Sequence, residues 1–185
     1  MKKLVIVLAL AAIIATGTAF ADHPSGLGIG VVGNYSTWGF GGQGGGVSLK
    51  IPSIPIYWAV NLDLGLGYFG IGVTGDYYLI DKNLSGPLNW FLGVGGYFSF
   101  LSYSSSYFLV DYSYTWMYAG VRVPIGISFQ PMPLLEIFAD IAPSIGVGIY
   151  SGYEVKYGGT SLYKEDGSVG LGWGAPIEIG IRLWF

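Results

Sequence analysis

The chain has 185 residues with 32 Gly, 6 Trp, 15 Tyr, 10 Phe and no Cys, and only 8 basic and 11 acidic side chains, for a formal charge of −3. At 52% apolar residues it is too hydrophobic to be disordered, and it is too acidic for a nucleic-acid partner. The lack of Cys excludes a disulfide scaffold, and Gly does not recur at every third position as in collagen, so the composition reads as that of a membrane protein.

Met1-Lys2-Lys3 precedes an unbroken apolar run from Leu4 to Ala15, with small residues at Ala19 and Ala21. These are the three regions of a secretory signal peptide. Twelve apolar residues rise about 18 Å as a helix, too short for a hydrocarbon core of about 30 Å. Residues 1–21 are therefore predicted as a cleaved signal and residues 22–185 as one barrel domain. Without Cys the exported chain cannot be lipidated as a lipoprotein, so its own fold must hold the membrane.

After Ala21 no apolar run approaches 18 residues, because Gly, Ser, Asn or a charge intervenes every few positions. A closed β-barrel is the remaining spanning structure, since it leaves no backbone edge unpaired in lipid. Period-two alternation predicts eight strands. In chain order their apolar faces start with Leu27, Ile29 and Val31; then Val47, Leu49 and Ile51; then Ile56 to Tyr68; then Phe69, Ile71 and Val73. They continue with Leu88 to Phe100, Val121 to Phe129, Leu135 to Ile149, and Val169 to Phe185. The last strand alternates most regularly, with Val, Leu, Trp, Ala, Ile, Ile, Ile, Leu and Phe at every odd position from 169 to 185.

Connections are predicted to alternate in length. Short turns fall at residues 52–55, 81–87 and 130–133 and near Tyr68, and long external loops at residues 34–45, 102–113 and 151–168. Aromatic residues near strand ends (Trp58, Tyr68, Tyr78, Trp90, Trp116, Tyr118, Tyr150, Trp173 and Trp184 among them) are predicted to form two interfacial girdles around the apolar band.

Charges within strands fall on the second face: Lys50, Asp63, Asp76, Arg122, Glu136, Asp140, Glu178 and Arg182. Eight strands leave little room for water, so these are predicted to pair across the lumen as a polar plug rather than line an ion pathway. Five acids face three bases, which leaves room for a protonated carboxyl or a bound cation. The lumen glycines permit tight coiling, or they could leave an internal cavity. Gly28-Ile29-Gly30-Val31-Val32-Gly33 matches a dinucleotide fingerprint but has no following helix and carries no weight.

The signal peptide, the eight amphipathic strands and the terminal Ile179-Gly180-Ile181-Arg182-Leu183-Trp184-Phe185 resemble the small outer-membrane barrels: the transmembrane domain of outer membrane protein A, outer membrane protein X and outer membrane protein W. The resemblance implies residence in the bacterial outer membrane among its lipids. It also implies delivery by the barrel-assembly machinery, with Phe185, Leu183 and Ile181 as the assembly signal.

Some barrels of this class modify lipids, which needs a Ser, a His and an acid at the outer rim. The only His is His23, in the predicted N-terminal tail, and Ser104-Ser105-Ser106 has no partner base. No Cys/His cluster marks a metal, and Lys164-Glu165-Asp166-Gly167 reads as a solvated loop tip. The chain is read as a non-enzyme, with no catalytic residue, cofactor or metal. The leading reading is a plugged barrel with a structural or adhesin-like role, whose external loops meet a surface ligand through Trp38, Phe40, Tyr103, Tyr107, Tyr153 and Tyr157. The alternatives are a narrow channel for small or apolar solutes and a soluble, lipocalin-like barrel.

Overall fold

A computed structural model describes residues 24–36, 43–65, 67–107 and 110–185. Eleven β-segments make up the described chain: β1 (Gly28–Tyr35), β2 (Gln43–Lys50), β3 (Tyr57–Gly65), β4 (Tyr68–Ser85), β5 (Leu88–Tyr107), β6 (Val110–Arg122), β7 (Ile125–Met132), β8 (Leu135–Ile141), β9 (Ser144–Tyr157), β10 (Thr160–Gly174) and β11 (Ile177–Trp184). All neighbours are antiparallel, and β1 pairs with both β2 and β11, which closes the sheet.

The eleven segments form eight wall strands. Pro124, Pro143 and Pro176 each interrupt one: β6 runs into β7, β8 into β9, and β10 into β11. Proline has no N–H for the ladder, so the pairing pattern breaks there, yet the register on either side is unchanged. Gly95 pairs with Arg122 above the first break and Leu92 with Ile125 below it, on the same diagonal. The proline carbonyls still accept from the neighbouring strand: Gly93 N donates to Pro124 O, Val123 N to Pro143 O and Ala142 N to Pro176 O, at 2.8, 2.9 and 2.9 Å. The result is a closed eight-stranded, up-and-down antiparallel barrel.

Alternation sends the branched aliphatic residues outward. Val31, Val47, Val60, Ile127, Ile145, Ile179 and Leu183 are all exposed, whereas Arg122, Arg182 and Glu136 are almost wholly buried. The outer row from Ile137 to Ile149 runs about 40 Å along its strand, or about 30 Å along the axis at a tilt near 40°. That matches a hydrocarbon core. Among the described residues no helix is long and apolar enough to cross a membrane. The outward-facing apolar band and the buried charge exclude a soluble barrel with an apolar interior.

Two sequence expectations need correction. The segments 102–113 and 151–168 are not loops. They are the upper parts of β5, β6, β9 and β10: β5 runs to Tyr107, β6 starts at Val110, and β9 turns into β10 at Gly158-Gly159. Tyr68 pairs with Tyr103, Tyr103 with Tyr114, and Tyr114 with Tyr153. Above this row the four strands continue about four residues, a raised wall about 13 Å tall. The alternation signal failed here because both faces are Tyr- and Ser-rich.

The aromatic girdle is also only partly outside. Trp58, Tyr77 and Trp173 are exposed on the outer face. Tyr57 and Trp184 are buried at the base, and Tyr97, Trp116 and Tyr118 line an internal cavity. Counting aromatics near strand ends does not say which face they take; their parity relative to an inward charge on the same strand does, as for Trp116 and Tyr118 with Arg122 and Trp184 with Arg182.

Candidate functional site

The interior divides into a lower plug and an upper cavity. Most large charges in it stand beside a glycine on the adjacent strand. Arg182 pairs with Gly30, Arg122 and Asp76 both with Gly95, Asp140 with Gly126, Asp63 with Gly70 and Lys50 with Gly28. A methyl group at Gly95 would collide with the Asp76 carboxylate, so the glycine excess on this face is the space these side chains occupy.

Two arginines organise the plug. Arg122, 2% exposed, donates from Nη1 and Nη2 to Glu178 Oε1 and Oε2 at 2.7 and 2.8 Å, a bidentate fork. Its Nε lies 3.1 Å from Asp76 Oδ1, and its Nη2 lies 3.9 Å from Asp140 Oδ1. Glu178 and Asp140 are direct cross-strand partners, so one guanidinium holds two adjacent like charges and a third opposite. Lower down, Arg182 donates to Glu136 Oε2 at 2.7 Å and to Ser48 Oγ at 2.8 Å, and Trp184 Nε1 donates to the same Glu136 oxygen at 3.0 Å. The Arg182 guanidinium sits over the rings of Phe138, Tyr57 and Trp184 at 4.6, 5.0 and 5.6 Å. Tyr78 stacks between Tyr57 at 4.0 Å and Phe91 at 4.4 Å and fills the remaining section. Between the two ion clusters only about 20 Å³ of space remains, room for about one water.

The predicted charge residues therefore separate into three groups. Asp76, Arg122, Asp140 and Glu178 form one cluster, and Glu136 and Arg182 a second. Lys50 joins neither: its Nζ donates to Ile51 O and Ile54 O at 3.0 and 2.8 Å and pins the base turn. Asp63 stands higher, in the cavity wall. Sequence reasoning missed Asp81, which is buried because the strand slips register between Tyr78 and Ile80 and turns it inward. A bulge of this kind leaves no trace in a period-two count.

Above the plug is a cavity of about 240 Å³ whose floor is the Arg122–Glu178 pair. One side carries Tyr97, Tyr114, Trp116 and Tyr118; the other carries Asn34, Asn61 and Asp63. The aromatic side extends upward as a connected cluster. Tyr103 and Tyr114 stack at 5.0 Å, Trp116 and Tyr150 approach to 4.5 Å, and Tyr153 lies 6.5 Å from Tyr114. Tyr150 and Tyr153 are an odd number of residues apart, yet both reach Tyr114. A bulge between the Tyr114 and Trp116 pairings inserts one extra residue in β9, and Gly152 takes φ 91° there, a conformation that favours glycine. Ser151 Oγ accepts from Thr115 N at 2.9 Å across the irregularity.

Of the predicted loop contacts, Tyr103 and Tyr153 lie in this internal cluster, a correction to their expected outward role. Tyr157 is exposed beside the β9–β10 turn. Trp38, Phe40 and the side chain of Tyr107 lie outside the described residues, as do His23 and residues 1–21. Ile181, Leu183 and Phe185 are exposed on the outer face of the closing strand and its end.

Comparison with known proteins bears on the fold. The chain is similar to a solved major outer membrane protein from Thermus thermophilus, with a TM-score of 0.51 and 13% identity over 86% of this chain and 99% of that one. It also aligns with Neisserial surface protein A (NspA), with a TM-score of 0.42 and 15% identity over 86% of this chain and 96% of that one. No curated protein matches it. The first likeness shows a small outer-membrane-type barrel fold. The model of a protein family of unknown function, DUF3996, matches residues 41–164, and the chain belongs to that family.

Proposed function

We propose that the protein is a closed, non-conducting and non-enzymatic barrel of the bacterial outer membrane that acts by surface contact. In this reading residues 1–21 are a signal removed on export. Ile181, Leu183 and Phe185 present the assembly signal to the barrel-assembly machinery. The raised wall of β5, β6, β9 and β10 stands outside the lipid as the contact surface. The observation that carries the reading is the plug, in which two arginines, four acids and an aromatic stack occupy the lower lumen. Charges beyond the lipid band support the orientation. Asp111, Glu154, Lys156 and Lys164 sit on the raised wall with Glu165 and Asp166 at its foot, and Lys82, exposed on the outer face beside Trp90, stands near the opposite base turn. Tyr157, Leu162 and Tyr163 give that wall exposed apolar and aromatic surface, suited to an extracellular partner.

Planar-bilayer recording on the refolded full chain separates this from the channel reading. The wild type should show no unitary conductance above the bare bilayer. Steady wild-type conductance that changes when only Glu178 is replaced by Gln would refute the closed barrel.

A further inference from the structure

We propose that the upper cavity binds a small organic cation that carries N–H donors on an apolar body, an amine or guanidine rather than a quaternary ammonium.

Three independent features of the cavity meet on this chemistry. The first is a set of orphan acceptors. Asn34 Oδ1, Asn61 Oδ1 and Asp63 Oδ1 are shielded from solvent and accept no hydrogen bond. Asn61 is 5% exposed, and all three residues line the cavity. Buried acceptors without donors are costly, and an N–H-bearing ligand would satisfy them. The second is the facing wall of Tyr97, Tyr114, Trp116 and Tyr118, whose electron-rich ring faces attract cations. The third is the local charge. Asp63 in the wall, Glu178 at the floor, and Asp76 and Asp140 beneath it face a single Arg122, an excess of acid that repels anions and draws cations inward.

A purely apolar ligand would leave the three oxygens unpaired. A quaternary ammonium would suit the rings but has no N–H to donate to them. The volume of about 240 Å³ lies just below the range of drug-sized pockets, which fits a small ligand. A second space of about 190 Å³, lined by Ser104, Ser113, Glu154 and Glu165, shares Tyr114 with the first and provides an acidic, polar vestibule toward the raised wall.

The test is calorimetric titration of the detergent-refolded full chain with four probes that share one phenyl ring: benzylamine, benzyltrimethylammonium, benzyl alcohol and benzoate. Benzylamine should bind at least tenfold more tightly than benzyltrimethylammonium or benzyl alcohol, and benzoate should give no heat. Asp63→Asn should weaken benzylamine tenfold or more while leaving benzyl alcohol unchanged. Trp116→Leu, which leaves every acid in place, should weaken both benzylamine and benzyltrimethylammonium. Retained heat-shifted gel mobility identifies folded variants. Equal binding of benzylamine and benzyl alcohol would overturn the proposal, as would an Asp63→Asn variant that binds like wild type. So would the absence of benzylamine heat up to millimolar concentration.

Discussion

Replacing Arg122 should cost more than replacing Arg182, although both are buried to the same degree. Removing one partner of a buried ion pair costs about 3–5 kcal/mol, chiefly because the other charge is left uncompensated. Arg122→Met strands three carboxylates, Glu178, Asp76 and Asp140, and two of these are cross-strand neighbours. The loss belongs at the upper end, about 5 kcal/mol. Arg182→Met strands only Glu136, which keeps the Trp184 Nε1 donor at 3.0 Å, and methionine suits a slot lined by Tyr57, Phe138 and Trp184. That loss belongs at the lower end, about 3 kcal/mol.

Urea titration of the protein in lipid vesicles, read by gel mobility without boiling, measures the difference. At a slope of about 2 kcal/mol per M, Arg122→Met should lower the midpoint by about 2.5 M and Arg182→Met by about 1.5 M. Adding Glu178→Leu to Arg122→Met should recover part of the loss, because it removes one of the stranded charges. Acidification should narrow the gap between wild type and Arg122→Met, since protonation removes the repulsion in the variant and the ion pairs in the wild type together. The reasoning fails if Arg122→Met unfolds at the wild-type midpoint. It also fails if the Glu178→Leu addition worsens the variant, or if the Arg182 variant is the weaker of the two.

Two further outcomes test placement and assembly. Val31→Arg puts a charge on the outer face between Val47 and Ile181 and should cost about 2–4 kcal/mol in vesicles, while Ser53→Arg in the base turn should cost almost nothing; equal costs would remove Val31 from the lipid. Phe185→Ser should reduce the folded fraction reaching the outer membrane in cells while leaving refolding of purified protein into detergent unchanged, and equal folded yield in cells would remove Phe185 from the assembly signal.

Strand number, closure and the inward set of charges were legible because they rest on period two, which a bilayer enforces without exception. A lipid-facing arginine at the midplane costs several kcal/mol, so Ile177 to Phe185 had to alternate as it does. The raised wall was illegible for the complementary reason. Outside lipid, neither face of β9 or β10 must be apolar, so Lys156, Lys164 and Glu165 sit in regular strand while reading as loop. Within the lumen, alternation placed the charges on the inner face but did not say which of them would meet. Nothing in sequence spacing says that Arg122 serves three acids and Arg182 one, or that Lys50 serves only backbone. Those assignments follow from the diagonal drift of register around the barrel, which sets Glu178 beside Asp140 and brings both within reach of Arg122.

The same drift explains why the interior is filled below and open above. In the lower half, strands on all sides contribute large inward groups, so Arg182 finds Glu136, Ser48 and three rings within one section. In the upper half, Gly44, Gly46, Gly70 and Gly72 stand among Asn34, Asn61 and Asp63, whose orphan oxygens take no hydrogen bond from the aromatic wall on β5, β6 and β9. Each unpaired buried acceptor costs about 1–3 kcal/mol, and an added donor such as Lys at Gly72, where a Cβ has room, would remove much of that cost. A barrel selected for stability alone would fill this space as it fills the base. The unfilled upper half gives up stability in order to keep a negatively charged, aromatic-walled cavity above a sealed floor. On the proposed reading, that arrangement serves recognition from outside rather than passage through the membrane.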